Sequence, residues 1–175
     1  MLPNFVLTGF MGCGKSTVGR RLAALTGHRF VDTDELIVKA QNKSIPQIFA
    51  EVGEEGFRDI EQSVLLDLVG VAGIVLSTGG GAILRQENRE ALRKVGIIVW
   101  LDAEPDVLFE RASRSTRRPL LQTDNPRETF DRLFESRKSI YESLAGFRFD
   151  STNIDHDVVA RKVLERAMRC HAQRP

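Results

Sequence analysis

Short apolar runs alternate along the chain with longer stretches in which apolar residues recur every three or four positions. Phe5-Val6-Leu7-Thr8 predicts a buried strand, and Lys15 to Leu25 the helix that follows it. A second short strand is expected over Arg29 to Asp32 and a helix over Glu35 to Ala40. Ser44, with Gln47 three residues on, is a capping-box pattern that opens a helix over Ile45 to Glu51. The helical pattern resumes from Glu54 to Val69 after a break near Gly53. Ile74 to Ser77 predicts a third strand and Glu87 to Lys94 a helix. Ile97 to Leu101 is apolar throughout, which predicts a strand buried on both faces. Pro105 to Ala112 reads as helix, and Pro126, whose fixed φ suits a first helical turn, opens another that runs to Leu144. Phe147 to Asp150 is a weak last strand, and Val158 to Met168 closes the chain as helix. Strands alternating with helices predict an α/β fold, a parallel sheet with helices on both faces. Residues 113–125 break the pattern with turn formers and charges, and are expected to form a lid-like loop.

Composition narrows the field of partners. The 175 residues suit one domain, 1–175, and a 42% hydrophobic, 28% charged make-up is that of an ordinary globular chain. A net charge of +1 offers no global field for nucleic acid or an anionic membrane, so any anion has to be held by a local cluster. No run of about 18 apolar residues predicts a membrane span, and MLPNFVLTGF lacks the basic start of a secretory leader. Two cysteines far apart, Cys13 and Cys170, suit a reducing compartment. The expectation is a cytoplasmic protein, monomeric, without nucleic-acid or membrane partners.

The chemistry begins at GFMGCGKST, residues 9–17. Gly9, four residues, then Gly14-Lys15-Ser16 fits the phosphate-binding loop, with a strand before it and a helix after. Backbone N–H groups there cradle phosphate oxygens, the lysine reaches the outer phosphates, and the serine hydroxyl can hold Mg²⁺. The metal also calls for a carboxylate, and two strand ends offer one, Asp32 and Asp102. Spacing alone does not choose between them. Asp32 and Asp34 are two apart, which in an extended chain points both to one side, whereas Asp34 could equally cap the helix at Glu35. One carboxylate could serve the metal and the other an acceptor.

A guanine-nucleotide switch would carry an N-K-x-D string, and the nearest, Thr152-Asn153-Ile154-Asp155, lacks the lysine. A small-molecule kinase fits better, because arginines suggest a second anion site. Arg58 and Glu61 are i,i+3 on one helix face, and Arg137 lies in ESRKSIY. A guanidinium suits two-point carboxylate recognition. Arg111, Arg114, Arg117 and Arg118 crowd the lid segment.

Taken together, GFMGCGKST, Asp32-Thr33-Asp34, GEEGFRDIE at 53–61, STGGGA at 77–82, RRPLL at 117–121 and ESRKSIYES at 135–143 resemble shikimate kinases over essentially the whole length. The resemblance implies a P-loop NTPase-like three-layer sandwich with a five-stranded parallel sheet in order 2-3-1-4-5 and a mobile lid, about 113–125. Substrate-binding helices would occupy about 33–62. It implies ATP- and Mg²⁺-dependent phosphorylation of the 3-hydroxyl of shikimate, with one Mg²⁺ per monomer and ATP as co-substrate, in the route to chorismate and aromatic amino acids. Gly12, Cys13, Gly14, Lys15, Ser16 and Thr17 would bind ATP, with Arg111 near the adenine. Ser16 and Asp32 would hold the metal. Asp34 would meet the reacting hydroxyl, and Arg58 and Arg137 the substrate carboxylate, with Glu61 positioning Arg58. Arg118 would close onto the ATP phosphates; with Lys15 and Asp34 it completes the expected catalytic set.

Two stretches add detail. STNIDHD, where many members of that family carry a basic residue near the adenine, has no lysine or arginine, so the base is expected to rest on backbone and apolar contacts such as Ile154. Gly79-Gly80-Gly81 follows the third strand and is expected to form one wall of the acceptor pocket, where any Cβ would intrude. A gluconate kinase is the competing enzyme reading, since gluconate also carries a carboxylate and hydroxyls.

Overall fold

The structure, a computed structural model, describes residues 2–114 and 119–172, and the side chains of all of these except 119 and 170–172. Its strands are β1 (Phe5–Thr8), β2 (Arg29–Asp32), β3 (Ile74–Ser77), β4 (Ile97–Asp102) and β5 (Phe147–Asp150). Its helices are α1 (Lys15–Thr26), α2 (Thr33–Gln41), α3 (Ile45–Asp67), α4 (Gln86–Val95), α5 (Pro105–Ser113), α6 (Pro126–Leu144) and α7 (His156–Ala172), with a 3₁₀ turn at Pro119–Leu121. The five strands form one parallel sheet in the order β2-β3-β1-β4-β5, as expected. The central strands β1 and β3 are buried at every position, while β5 at the edge is only partly covered. In a parallel sheet all carboxyl ends lie on one side. That side receives the loop after β1, the start of α2 and the glycines after β3.

The apolar interior divides in two. A large cluster surrounds the sheet, with Phe5, Leu7, Leu76 and Trp100 among its members. A small one, Ile37, Ile48 and Phe57, joins α2 to α3, with the Phe49 ring tilted against Phe57 at 4.5 Å between ring centres. Among the described residues no helix is long and apolar enough to cross a membrane.

Two helix starts depart from the sequence reading. Helix α2 begins at Thr33, two residues early, because Asp32 caps it: its Oδ1 accepts the Asp34 N–H at 3.0 Å. Asp34 is therefore a first-turn residue, neither a cap nor part of an extended pair. Helix α7 begins at His156 rather than Val158. The break at Gly53 is real, with φ 67° and ψ −174° inside α3. The capping box of Ser44 and Gln47 forms as expected.

Candidate active site

The loop between β1 and α1 wraps the open end of the first helix. Gly14, the residue before α1, sits at φ 88°, a left-handed conformation that glycine adopts without a steric penalty. Lys15 folds back over the loop, its Nζ donating to the Gly9 and Phe10 carbonyls at 2.8 and 3.1 Å. A phosphate would take the place of those carbonyls. The Cys13 side chain is fully buried and its N–H is spent on the Phe10 carbonyl at 3.3 Å, so it supports the loop from behind. Gly12, Gly14, Lys15, Ser16 and Thr17 line a cavity of about 310 Å³.

Of the two strand-end candidates, Asp32 and not Asp102 lines this cavity. One Asp32 oxygen caps α2, and the other accepts the Ser16 hydroxyl at 3.0 Å. The Ser77 hydroxyl lies 3.4 Å from that of Ser16. Asp102 points elsewhere and accepts from Arg148 at 2.8 Å. Hard oxygen donors of this kind suit Mg²⁺. Among the described residues no three His, Cys, Asp or Glu side chains gather as a metal cage.

A second, narrower cavity of about 80 Å³ adjoins the first. Asp34, Gly79 and Gly80 line both and so mark their junction. Met11, Phe49, Phe57 and Leu120 give the second cavity an apolar side, and Arg58, Glu61, Gly81 and Arg137 a polar one. Arg58 donates to Glu61 at 2.7 Å, the i,i+3 pair expected, and to Glu54 at 3.2 Å. Full burial pushes the Glu61 carboxyl above its ordinary range, against the pull of Arg58. Among the described residues, Glu61 Oε1 and Arg58 Nε are buried without a hydrogen-bond partner. Arg137 is 3% exposed and meets no carboxylate within ion-pair distance among the described residues. Burial lowers its pKa.

The three glycines serve different ends. A Cβ on Gly79 would stand 2.9 Å from Glu61 Oε1 and 3.0 Å from Asp34 Oδ1. A Cβ on Gly81 would stand within 2.5 Å of the Arg58 Cζ. At Gly80 the nearest protein atoms would be 3.8 Å away, so a Cβ there would crowd no part of the protein itself. Thr33 fixes the stretch from the other side, its hydroxyl accepting the Gly79 N–H at 2.9 Å.

The far end of the first cavity holds Arg111 and His156. Arg111 is pinned to the β5–α7 connection, donating to the Thr152 carbonyl at 2.9 Å. The His156 ring covers Gly14, where a Cβ would stand 2.8 Å from Nε2. No local sequence pattern marks His156, which reaches the loop from the first turn of α7. Ile154 packs onto the main core rather than lining the cavity. Tyr141 donates its hydroxyl to the Gly80 carbonyl at 2.6 Å. Arg117 and Arg118, the expected lid arginines, lie outside the described residues.

The sequence model of a known family, described as shikimate kinase, matches residues 11–168. A shikimate kinase from Actinobacillus pleuropneumoniae serotype 5b (strain L20) is 42% identical over 162 residues, covering 93% of this chain and 94% of its own. The solved shikimate kinase from Acinetobacter baumannii, in complex with shikimate, superposes with a TM-score of 0.93 at 39% identity, over 97% of this chain and 94% of its own. A gluconokinase from Sinorhizobium meliloti 1021, at 20% identity and a TM-score of 0.62 over 95% of this chain and 92% of its own, shares the fold alone. With a family match across nearly its full length and relatives above two-fifths identity, the chain belongs to the shikimate kinase family.

Proposed function

We propose that the protein transfers the γ-phosphoryl group of ATP to the 3-hydroxyl of shikimate. The observation that carries this reading is Arg137, a buried guanidinium without a carboxylate partner among the described residues, at a small cavity that shares Asp34, Gly79 and Gly80 with the larger cavity at the phosphate loop. An uncompensated buried cation is costly and is most readily explained by an anionic ligand. Arg58, whose charge Glu61 and Glu54 already offset, would supply a second, preset hydrogen-bonding edge.

In this reading the acceptor carboxylate lies against Arg137 and Arg58, and the ring hydroxyls face Asp34. Asp34 aligns the attacking hydroxyl and takes its proton. Lys15 exchanges its carbonyl partners for the outer phosphates, where its charge offsets that developing on the transferred group. Ser16 and Asp32 would hold Mg²⁺, one per active site, which supplies charge neutralisation across the phosphates when bound. His156 and Arg111 bound the base, and Arg118 closes over the phosphates from the lid. The loop's closure excludes water and so suppresses hydrolysis of ATP. The reading includes a monomer working on free metabolites in the cytoplasm.

The test is purified protein with Mg²⁺-ATP and a panel of shikimate, gluconate and nucleoside monophosphates. Phosphate should appear on shikimate and on no other acceptor. Transfer to another member of the panel with none to shikimate refutes the proposal.

A further inference from the structure

Tyr141 is the chain's single tyrosine and is almost wholly buried in α6. Its ring stacks on Trp100 of β4, with centres 6.0 Å apart and planes 14° from parallel. The hydroxyl reaches out of this stack to the Gly80 carbonyl at 2.6 Å. Packing does not require that contact, since a phenylalanine would fill the same volume. The same carbonyl also receives Arg137 Nη1, at a longer 3.3 Å. Burial raises the Tyr141 pKa well beyond the ordinary phenol range, so the group stays a proton donor across the working pH.

Two consequences reach the acceptor cavity. The peptide plane is rigid and trans, so fixing the Gly80 carbonyl also fixes the Gly81 N–H on its opposite edge. Neither the Gly80 nor the Gly81 N–H is hydrogen-bonded within the described residues, although both residues line the cavity. The short tyrosine bond also satisfies the carbonyl, so Arg137 is not required to. A buried carbonyl that loses its best donor recruits the next one, because leaving it unsatisfied is the costlier outcome. Without the hydroxyl, Arg137 would be drawn onto Gly80 and away from its ligand.

We propose that Tyr141 is a positioning residue for the acceptor: by holding the Gly80 carbonyl it aims the Gly81 N–H and keeps the Arg137 guanidinium available for the acceptor's carboxylate. The inference rests on the assignment of this cavity to shikimate.

Tyr141→Phe keeps the stacked ring and deletes the oxygen. Steady-state kinetics should show the shikimate KM raised about 5- to 30-fold, the factor for losing one hydrogen bond of ordinary to good strength. The kcat should stay within about threefold and the ATP KM within about twofold. A merely structural tyrosine would lower Tm and the active fraction, hence kcat, without moving KM. Arg137→Lys and the double variant close a cycle, and the two effects should be less than additive because the residues share one carbonyl. An unaltered shikimate KM in Tyr141→Phe, or strict additivity, overturns the inference while wild-type activity on shikimate leaves the proposed function standing. A wild type inactive on shikimate overturns both. Because the chain has one tyrosine, uniform 3-fluorotyrosine labelling places a single ¹⁹F probe beside this hydroxyl in an otherwise unaltered chain, so the question does not depend on the variant folding. Its resonance should move on saturation with shikimate and hold still with ADP alone; no response to shikimate also overturns the inference.

Discussion

Alanine at Gly81 and alanine at Gly80 should have opposite consequences, although the two positions are adjacent. At Gly81 the new methyl would stand within 2.5 Å of the Arg58 Cζ. Carbon atoms in good contact are about 3.5–4.0 Å apart, so the guanidinium has to retreat by about 1 Å or more. Arg58 is buried and Glu61 entirely so, which leaves little room for the retreat. Overpacking of this kind costs about 1–3 kcal/mol, equivalent to about 2–12 °C in Tm for a chain of this size. An arginine displaced by that distance also loses its bond to a ligand carboxylate, about 1.5–3 kcal/mol for a charged pair, or about 10- to 150-fold in shikimate KM. At Gly80 the nearest atoms are 3.8 Å from the added carbon, an ordinary contact, so the variant should lie within about 1 kcal/mol of wild type. None of the three glycines has a positive φ, so backbone strain does not blur the comparison. Thermal unfolding and shikimate saturation curves for both variants decide the matter. A Gly81→Ala protein with wild-type Tm and KM, or a Gly80→Ala protein that is the more damaged of the two, refutes the assignment of the close approach to Arg58.

Asp34→Asn should lose about 10²–10⁴ in turnover, the range for a positioned acid–base group, and near-normal turnover would remove Asp34 from proton transfer. Arg137→Ala should raise the shikimate KM far more than it lowers kcat, because its contact is to a non-reacting group; a pure kcat effect in initial-rate measurements contradicts that role. His156→Ala should weaken ADP binding by calorimetry while leaving the shikimate KM within about twofold, since the ring touches the first cavity only. Equal losses for both ligands would show a general disturbance of α7 instead.

What could be read in advance follows from distance along the chain. The phosphate loop is nine contiguous residues with a strand before and a helix after, so local spacing carries it. The Arg58–Glu61 pair is one helical turn and was equally legible. The strand order came from family resemblance, because alternation of elements does not order strands. Asp34 lies at the junction neither as one of an extended pair nor as a cap, but in the first turn of a helix that Asp32 caps, a register that spacing alone does not reveal. Thr33, between the two, passed unnoticed although its hydroxyl holds Gly79. His156 and Tyr141 act on residues 142 and 61 positions away, and one sequence holds no periodic or local signal for contacts of that kind.

The division of the interior into two apolar clusters has a consequence for how the molecule breathes. The helices that carry Asp34, Arg58 and Glu61 pack on each other through a cluster with, among the described residues, three buried members, Ile37, Ile48 and Phe57. Opening that cluster exposes little surface and leaves the sheet, the phosphate loop and the larger cluster assembled. Local unfolding free energy scales with such contacts, so amide protons of α2 and the first half of α3 should exchange through a partial opening well below the global limit. Selection could then reshape the acceptor end of the enzyme, residue by residue, while the nucleotide end keeps its stability.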